Sequence, residues 1–269
     1  MVASLGNTGS IERSPSLDWV TRAENEILGT WGDRVSVMTK GKTLNKFGRN
    51  EAVGTSTEMV WLYGGTETIP STNAIDKISS SDNGDTQSVT VEGHTISGSD
   101  LTFVVQSKTL VGQTETALDT PLARATRVYN NDSTDFAGTV YVYEDDTVTA
   151  GVPQTAAKVH LSTGGSDNQS MKCATSISSV DYWILTNWYC AVNEKTTAAA
   201  DFELQIRLSG KVFRTRIQCE ASSNGGPSSL PLDPPIIIPP NSDMRVMATA
   251  STSNVSVSSS VNGVLAIIV

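Results

Sequence analysis

The chain has 269 residues, a formal net charge of -9 and a pI of about 4.7. Its Lys and Arg are scattered, which excludes the clustered basic surface that phosphate backbones require. No apolar run approaches the roughly 20 residues of a membrane-spanning helix. With 38% hydrophobic and 17% charged residues in patterned segments, disorder is excluded too, and a chain this long buries about three quarters of its unfolded surface without a metal or disulfide.

Met1 to Ser14 carries no apolar core of a secretory signal. Ser16 to Gly29 predicts one short helix: Ser16 can cap it, Val20, Ala23 and Ile27 share a face, and Gly29 stops it. From Thr30 to Thr57 large residues stand isolated, among them Trp31, Val35, Met38, Leu44 and Phe47. Spaced anchors without a core of their own predict an extended arm, residues 1–56, laid on another surface. The alternative is one or two strands of the following domain.

Residues 57–269 predict strand after strand. Met59 to Tyr63 stops at Gly64-Gly65, and Ser71 to Thr86 is polar enough for a surface loop. Val89-Thr90-Val91, Leu101 to Val105, Ala123 to Tyr129 and Thr139 to Tyr143 are strands, the last ending at Glu144-Asp145-Asp146. Phe202, Leu204, Ile206 and Leu208 alternate with Glu203, Gln205 and Arg207, and after Ser209-Gly210 the alternation resumes through Ile217 and Cys219. That is a hairpin with one apolar face. Tyr182 to Val192 is apolar or aromatic on both faces, so its second face needs cover from its own chain or from another subunit.

The last forty residues organise the domain. Pro234-Pro235-Ile236-Ile237-Ile238-Pro239-Pro240 fits only an edge or bridging strand, because proline cannot donate to a ladder. Met244 to Ala250 is a strand, Ser251 to Asn254 a turn, and Val255, Val257 and Val261 alternate with polar neighbours. Asn262-Gly263 predicts a tight reversal before the wholly apolar Val264 to Val269, which must be covered on both faces. Without βαβ alternation, some ten to fourteen strands predict an all-β fold: an antiparallel β-sandwich of jelly-roll type with an N-terminal arm.

Chemistry is sparse. Cys173, Cys190 and Cys219 are odd in number and lie in strand-like segments, the pattern of buried thiols; a Cys173–Cys190 bridge is the alternative. His94 and His160, the only two histidines, lack metal-ligand spacing and are expected at the surface. Gly41-Lys42-Thr43 has the tail of a phosphate loop, but Ser36 stands where its first glycine belongs. Glu144/Asp145/Asp146 and the Ser81 to Asp85 segment are acidic turns, expected to be solvated. No catalytic residue, metal or cofactor is assigned.

Leu44-Asn45-Lys46-Phe47-Gly48-Arg49-Asn50, Val60-Trp61, Gly64-Gly65, Lys211 to Arg216 and Ile238 to Val246 resemble segments of structural proteins of tailed bacteriophages, marine ones especially. The resemblance implies a non-enzymatic virion protein: a jelly-roll head decoration or cement protein, homotrimeric and seated on the major capsid protein. Tail or fibre placement, with receptor or glycan binding, is the alternative. Expected contact residues are Trp19, Trp31 and Phe47 in the arm and Trp183 and Trp188 in the two-faced strand. Neither nucleic acid nor membrane is an expected partner.

Overall fold

The computed structural model describes residues 41–194 and 197–267, with the side chains of residues 43–194 and 197–266. The predicted helix, and Trp19 and Trp31 with it, lie outside the described residues. Among the described residues, eighteen strands and two single-turn 3-10 segments follow one another. First come β1 (Gly41–Val53) and β2 (Glu58–Met59). Then follow β3 (Ile75–Ser80), β4 (Ser88–Ser97), β5 (Asp100–Thr109), β6 (Thr116–Leu122) and β7 (Arg124–Asn130). Next are β8 (Val140–Glu144), the small hairpin β9 (Val148–Thr149) and β10 (Val152–Pro153), and β11 (Val159–Ser162). The last seven are β12 (Ala174–Ile177), β13 (Asp181–Val192), β14 (Ala199–Leu208), β15 (Arg214–Ser222), β16 (Ser228–Ile238), β17 (Ser242–Ala250) and β18 (Val255–Ile267).

Two sheets face each other, β1-β18-β13-β16 and β12-β17-β14-β15, with every pairing antiparallel. Two four-stranded sheets threaded in this order make a jelly roll. Its interior is one cluster that includes Trp183, Leu185, Trp188, Phe202, Leu204, Val246 and Val257. Each such large side chain contributes about 1.5–3 kcal/mol by leaving water. The final strand sits centrally between β1 and β13; of its apolar end Ala266 is buried and Val264 and Leu265 are half-buried, while the side chains beyond residue 266 lie outside the described residues. The proline-fenced isoleucines lie in β16 at the sheet edge, Ile236, Ile237 and Ile238 opposite Leu185, Ile184 and Trp183.

A second sandwich is spliced into the first. Its sheets are β11-β8-β3-β6 and β5-β4-β7, and its own core includes Ile75, Ile78, Val89, Val91, Leu122, Val128, Val142 and Leu161. The splice lies in mid-strand. Glu58 and Met59 pair with Ala248 and Met247; Ala174 to Ile177 continue the same edge against Arg245 to Ser242. Between them Val60 N–H donates to Val246 O at 2.9 Å and Val246 N–H to Cys173 O at 3.0 Å. The chain therefore leaves one strand line after Val60, builds a whole sandwich, and rejoins the line at Cys173. Trp61 and Lys172, the exit and return points, form an antiparallel bridge.

Several expectations change here. The described part of the predicted arm is a strand: β1 pairs with β18 from Gly41 to Val53. One glycine makes that crossing close. A Cβ on Gly48 would lie 2.3 Å from Cys173 N and 2.4 Å from Val60 O. Gly48→Ala is therefore expected to lower stability by about 1–3 kcal/mol, the usual range for overpacking; the denaturant midpoint of the full chain measures it.

Asn262-Gly263 is no reversal, because β18 runs straight through it. A Cβ on Gly263 would fall 2.2 Å from Ile184 O and 2.5 Å from Trp183 Nε1, so this glycine makes room for its neighbour rather than turning the chain. The predicted loop Ser71 to Thr86 contains β3, whose Ser79 and Ser80 are fully buried. Ser79 Oγ donates to Gly151 O at 2.8 Å and meets Tyr143 Oη at 3.0 Å, so its polarity is satisfied inside.

Candidate functional site

The two sandwiches meet over buried charged groups, and these form the most concentrated chemistry among the described residues. Lys172 sits where the insert rejoins the jelly roll. Its Nζ donates to Glu67 Oε1 at 2.6 Å, Ala125 O at 2.9 Å and His160 O at 3.0 Å. Three donors meet three acceptors, so the ammonium is satisfied away from water. It also lies 5.6 Å from the Trp61 ring centre. Glu67 Oε1 further contacts His160 Nδ1 at 3.0 Å, while His160 Nε2 faces Glu144 Oε1 at 2.9 Å. Burial alone would raise the Glu67 carboxyl, but Lys172 and His160 outweigh it and hold it down at about 2. Burial pulls Lys172 below the ordinary lysine range against the opposing pull of Glu67.

Asp243 anchors the second cluster. Arg124, at the start of β7 in the insert, grips it with Nε to Oδ1 at 2.9 Å and Nη2 to Oδ2 at 3.3 Å. Arg207 of β14 donates Nε to Oδ2 at 2.9 Å, and Ser176 of β12 donates to Oδ1 at 2.6 Å. The remaining Arg124 donor, Nη1, reaches Pro70 O at 2.7 Å and Ala123 O at 2.8 Å. One carboxylate thus takes an arginine from each sandwich. Burial works to raise the Asp243 carboxyl, yet Arg124 and its hydrogen bonds leave it below the usual range. Arg124 and Asp243 side chains are 6% and 2% exposed, so this pair is not a solvent-screened surface bridge.

Further polar links join the same halves. Lys46 of β1 donates to Thr126 O at 3.0 Å, and burial pulls its pKa down to about 8 while Glu92 opposes. Arg49 Nη2 donates to Asp167 at 2.8 Å. At another point of the seam Leu101 N–H donates to Asn241 Oδ1 and Ser179 N–H to Leu101 O, both at 2.8 Å. A cavity of about 20 Å3 lies between the clusters, lined by Glu67, Arg124, Lys172, Ser176, Asp243 and Arg245. That is room for about one water. Phe213 covers this side, with Arg245 at 3.8 Å and Arg207 at 4.4 Å from its ring centre.

Sequence reasoning missed this assembly. His160 is wholly buried and His94 is 3% exposed, so neither is a surface histidine. His94 is pulled down to about 4 by burial and packs edge-on against Phe103. Asp85, expected in a solvated turn, is 1% exposed and accepts from Ala137 N–H at 2.8 Å and Gly138 N–H at 3.0 Å. The available signal was local. Lys172 stands between Met171 and Cys173, and Arg124 between Ala123 and Ala125; a charge inside an apolar run needs a partner.

The expected contact residues divide. Phe47 is half-buried on β1, opposite Ser260. Trp183 and Trp188 are 0% exposed in the jelly-roll core, and Trp188 Nε1 donates to Ser259 Oγ at 2.9 Å. Neither indole leaves surface for a partner, which corrects the expectation for both. The reason is a bulge. Register shifts between Leu185 and Asn187, so Trp183 and Leu185 before it and Trp188 and Cys190 after it enter the same interior.

A scan against family models finds no match, and a search of curated proteins finds none. Among solved structures the chain is similar to infectious bursal disease virus proteins. For the Gt strain the TM-score is 0.21 at 10% identity, covering 95% of this chain and 83% of that one. For the VP2 subviral particle it is 0.20 at 12% identity, covering 91% and 76%. For the Gx strain it is 0.23 at 9% identity, covering 91% and 78%. Overlaps of this size establish no family.

Proposed function

We propose that this chain is a non-enzymatic structural protein of a virus particle. One observation carries the reading: the ionisable groups at the seam bind one another. Arg124 of the insert and Asp243 of the jelly roll fasten one body to the other, and Lys172 and Glu67 tie the two connecting limbs of the insert together, which is a mechanical task. The jelly roll is a frequent capsid architecture, and it fits that task. In the finer reading the chain is a decoration or cement protein of a phage head, self-associating as a homotrimer on the major capsid protein. Phe47, with Trp19 and Trp31 upstream, supplies contacts there.

Mass spectrometry of purified particles tests the reading through copy number. Hundreds of copies, scaling with the main shell protein, are expected for a head protein. A dozen or fewer would place it in the tail, and absence from particles would overturn the virion role. Truncation of residues 1–40 addresses the arm. Incorporation unchanged by that truncation would remove Trp19 and Trp31 from the contact.

A second reading has its own observation. An open groove of about 250 Å3 runs between β1 and the insert, lined by Arg49, Glu51, Tyr63, Tyr141, Ser162 and Thr163 among others. Aromatic edges beside charged and hydroxyl groups suit a glycan, as a tail-borne receptor-binding module would require. Binding of the isolated protein on a glycan array, abolished by Tyr141→Ala, favours that reading over the head assignment.

A further inference from the structure

We propose that Cys190 and Cys219 are a thiol pair that a peroxide closes into a disulfide, stapling the two jelly-roll sheets together. The inference stands apart from the virion reading. Cys190 lies on β13 and Cys219 on β15, strands of opposite sheets, and their sulfurs are 3.2 Å apart. Both thiols are free. Two sulfurs already in contact need to approach by only about 1 Å to reach the length of a disulfide bond.

The pair is also asymmetric. Cys190 is wholly buried, whereas Cys219 is half-buried on the edge strand of its sheet. Cys219 is therefore the sulfur a small oxidant reaches, and Cys190 is the resolving thiol beneath it. The hydrogen bond between them draws the Cys219 thiol below its ordinary range, while burial pushes Cys190 up. Cys173 is excluded by its place: it is buried beneath β1, with its Sγ toward Lys46 O at 3.7 Å.

The steps balance with hydrogen peroxide as oxidant. The Cys219 thiolate attacks one peroxide oxygen, the O–O bond breaks, and the departing hydroxide takes a proton to leave as water. Cys219 is then a sulfenic acid. Cys190 sulfur attacks the Cys219 sulfur, the S–S bond forms and the S–O bond breaks. The hydroxyl leaves with the Cys190 proton as a second water. Two thiols are oxidised by two electrons, and one peroxide is reduced to two waters.

The experiment treats the purified full chain with hydrogen peroxide, blocks remaining thiols with iodoacetamide under denaturing conditions, and maps the peptides. The expected product is about two mass units lighter before blocking, carries a Cys190–Cys219 linked peptide, and leaves Cys173 alkylated. Its Tm is expected to rise by about 5–10 °C and to return on adding dithiothreitol. Cys219→Ser is expected to lose the linked peptide and the Tm rise together. Over-oxidised Cys219 without a linked peptide, a link through Cys173, or three untouched thiols would each overturn the proposal. The wild-type map decides the matter even where the variant fails to fold.

Discussion

Asp243→Ala is expected to destabilise the chain by about 3–5 kcal/mol, because it strands two arginines at a buried seam. Arg124 loses both arms of its bidentate grip and Arg207 loses its Nε acceptor. Solvent does not reach Arg124 well enough to compensate, since its side chain is only 6% exposed. For a chain of this size the loss corresponds to a fall in Tm of roughly 10 °C. Thermal unfolding followed by circular dichroism measures it. A shift of less than about 2 °C would show that the seam is wetter than its geometry implies. Asp243→Asn keeps one acceptor oxygen and is expected to lose less.

The same pin makes the protein acid-sensitive. Asp243 and Glu67 both titrate below their ordinary values in the folded chain. In that case the unfolded chain binds protons first as pH falls. Their stabilisation is fully present above about pH 4.5 and drains away toward pH 2, the value near which Glu67 titrates when folded. Urea midpoints taken between pH 7 and pH 3 are expected to fall steeply only in the lower part of that range. Asp243→Asn is expected to flatten the slope.

Lys172→Met is the second large effect, also about 3–5 kcal/mol, and for the opposite sign of charge. It leaves Glu67 buried with His160 as its remaining named partner. It also empties the donors that held Ala125 O and His160 O. Pairing Lys172→Met with Glu67→Gln is expected to recover part of the loss, because no bare charge is then left inside. The double-mutant cycle should return a coupling of about 1–3 kcal/mol. Strict additivity would mean that the two groups do not communicate.

How far the sequence could be read depended on which rule each segment obeyed. The hairpin of β14 and β15 and the edge strand with its isoleucines followed simple rules of alternation and proline placement, and they were legible. In the stretch from Tyr182 to Val192 a bulge moved the inward positions from odd to even numbers, which alternation alone did not show. The second face is apolar as well, with Ile184 buried beside Ala266 and Tyr182. Asn262-Gly263 was misread because one dipeptide serves a turn or a close packing contact equally well. The seam was invisible for a deeper reason. Its partners stand far apart along the chain, 119 positions for Arg124 and Asp243 and 105 for Glu67 and Lys172, and only the splice brings them together. A lone arginine between alanines announces that a partner exists, not where it is.

Leaving and rejoining one ladder line has an engineering consequence. Because residues 61 and 172 bridge each other, the jelly roll presents a socket into which any module with neighbouring ends can be grafted without lengthening the host. The graft has chemical conditions: buried Lys46 of the host, which donates to Thr126 O of the guest, needs a new acceptor. Asp243 takes one of its two arginines from the guest, so a replacement must bring a cation of its own, or the host must surrender that carboxylate.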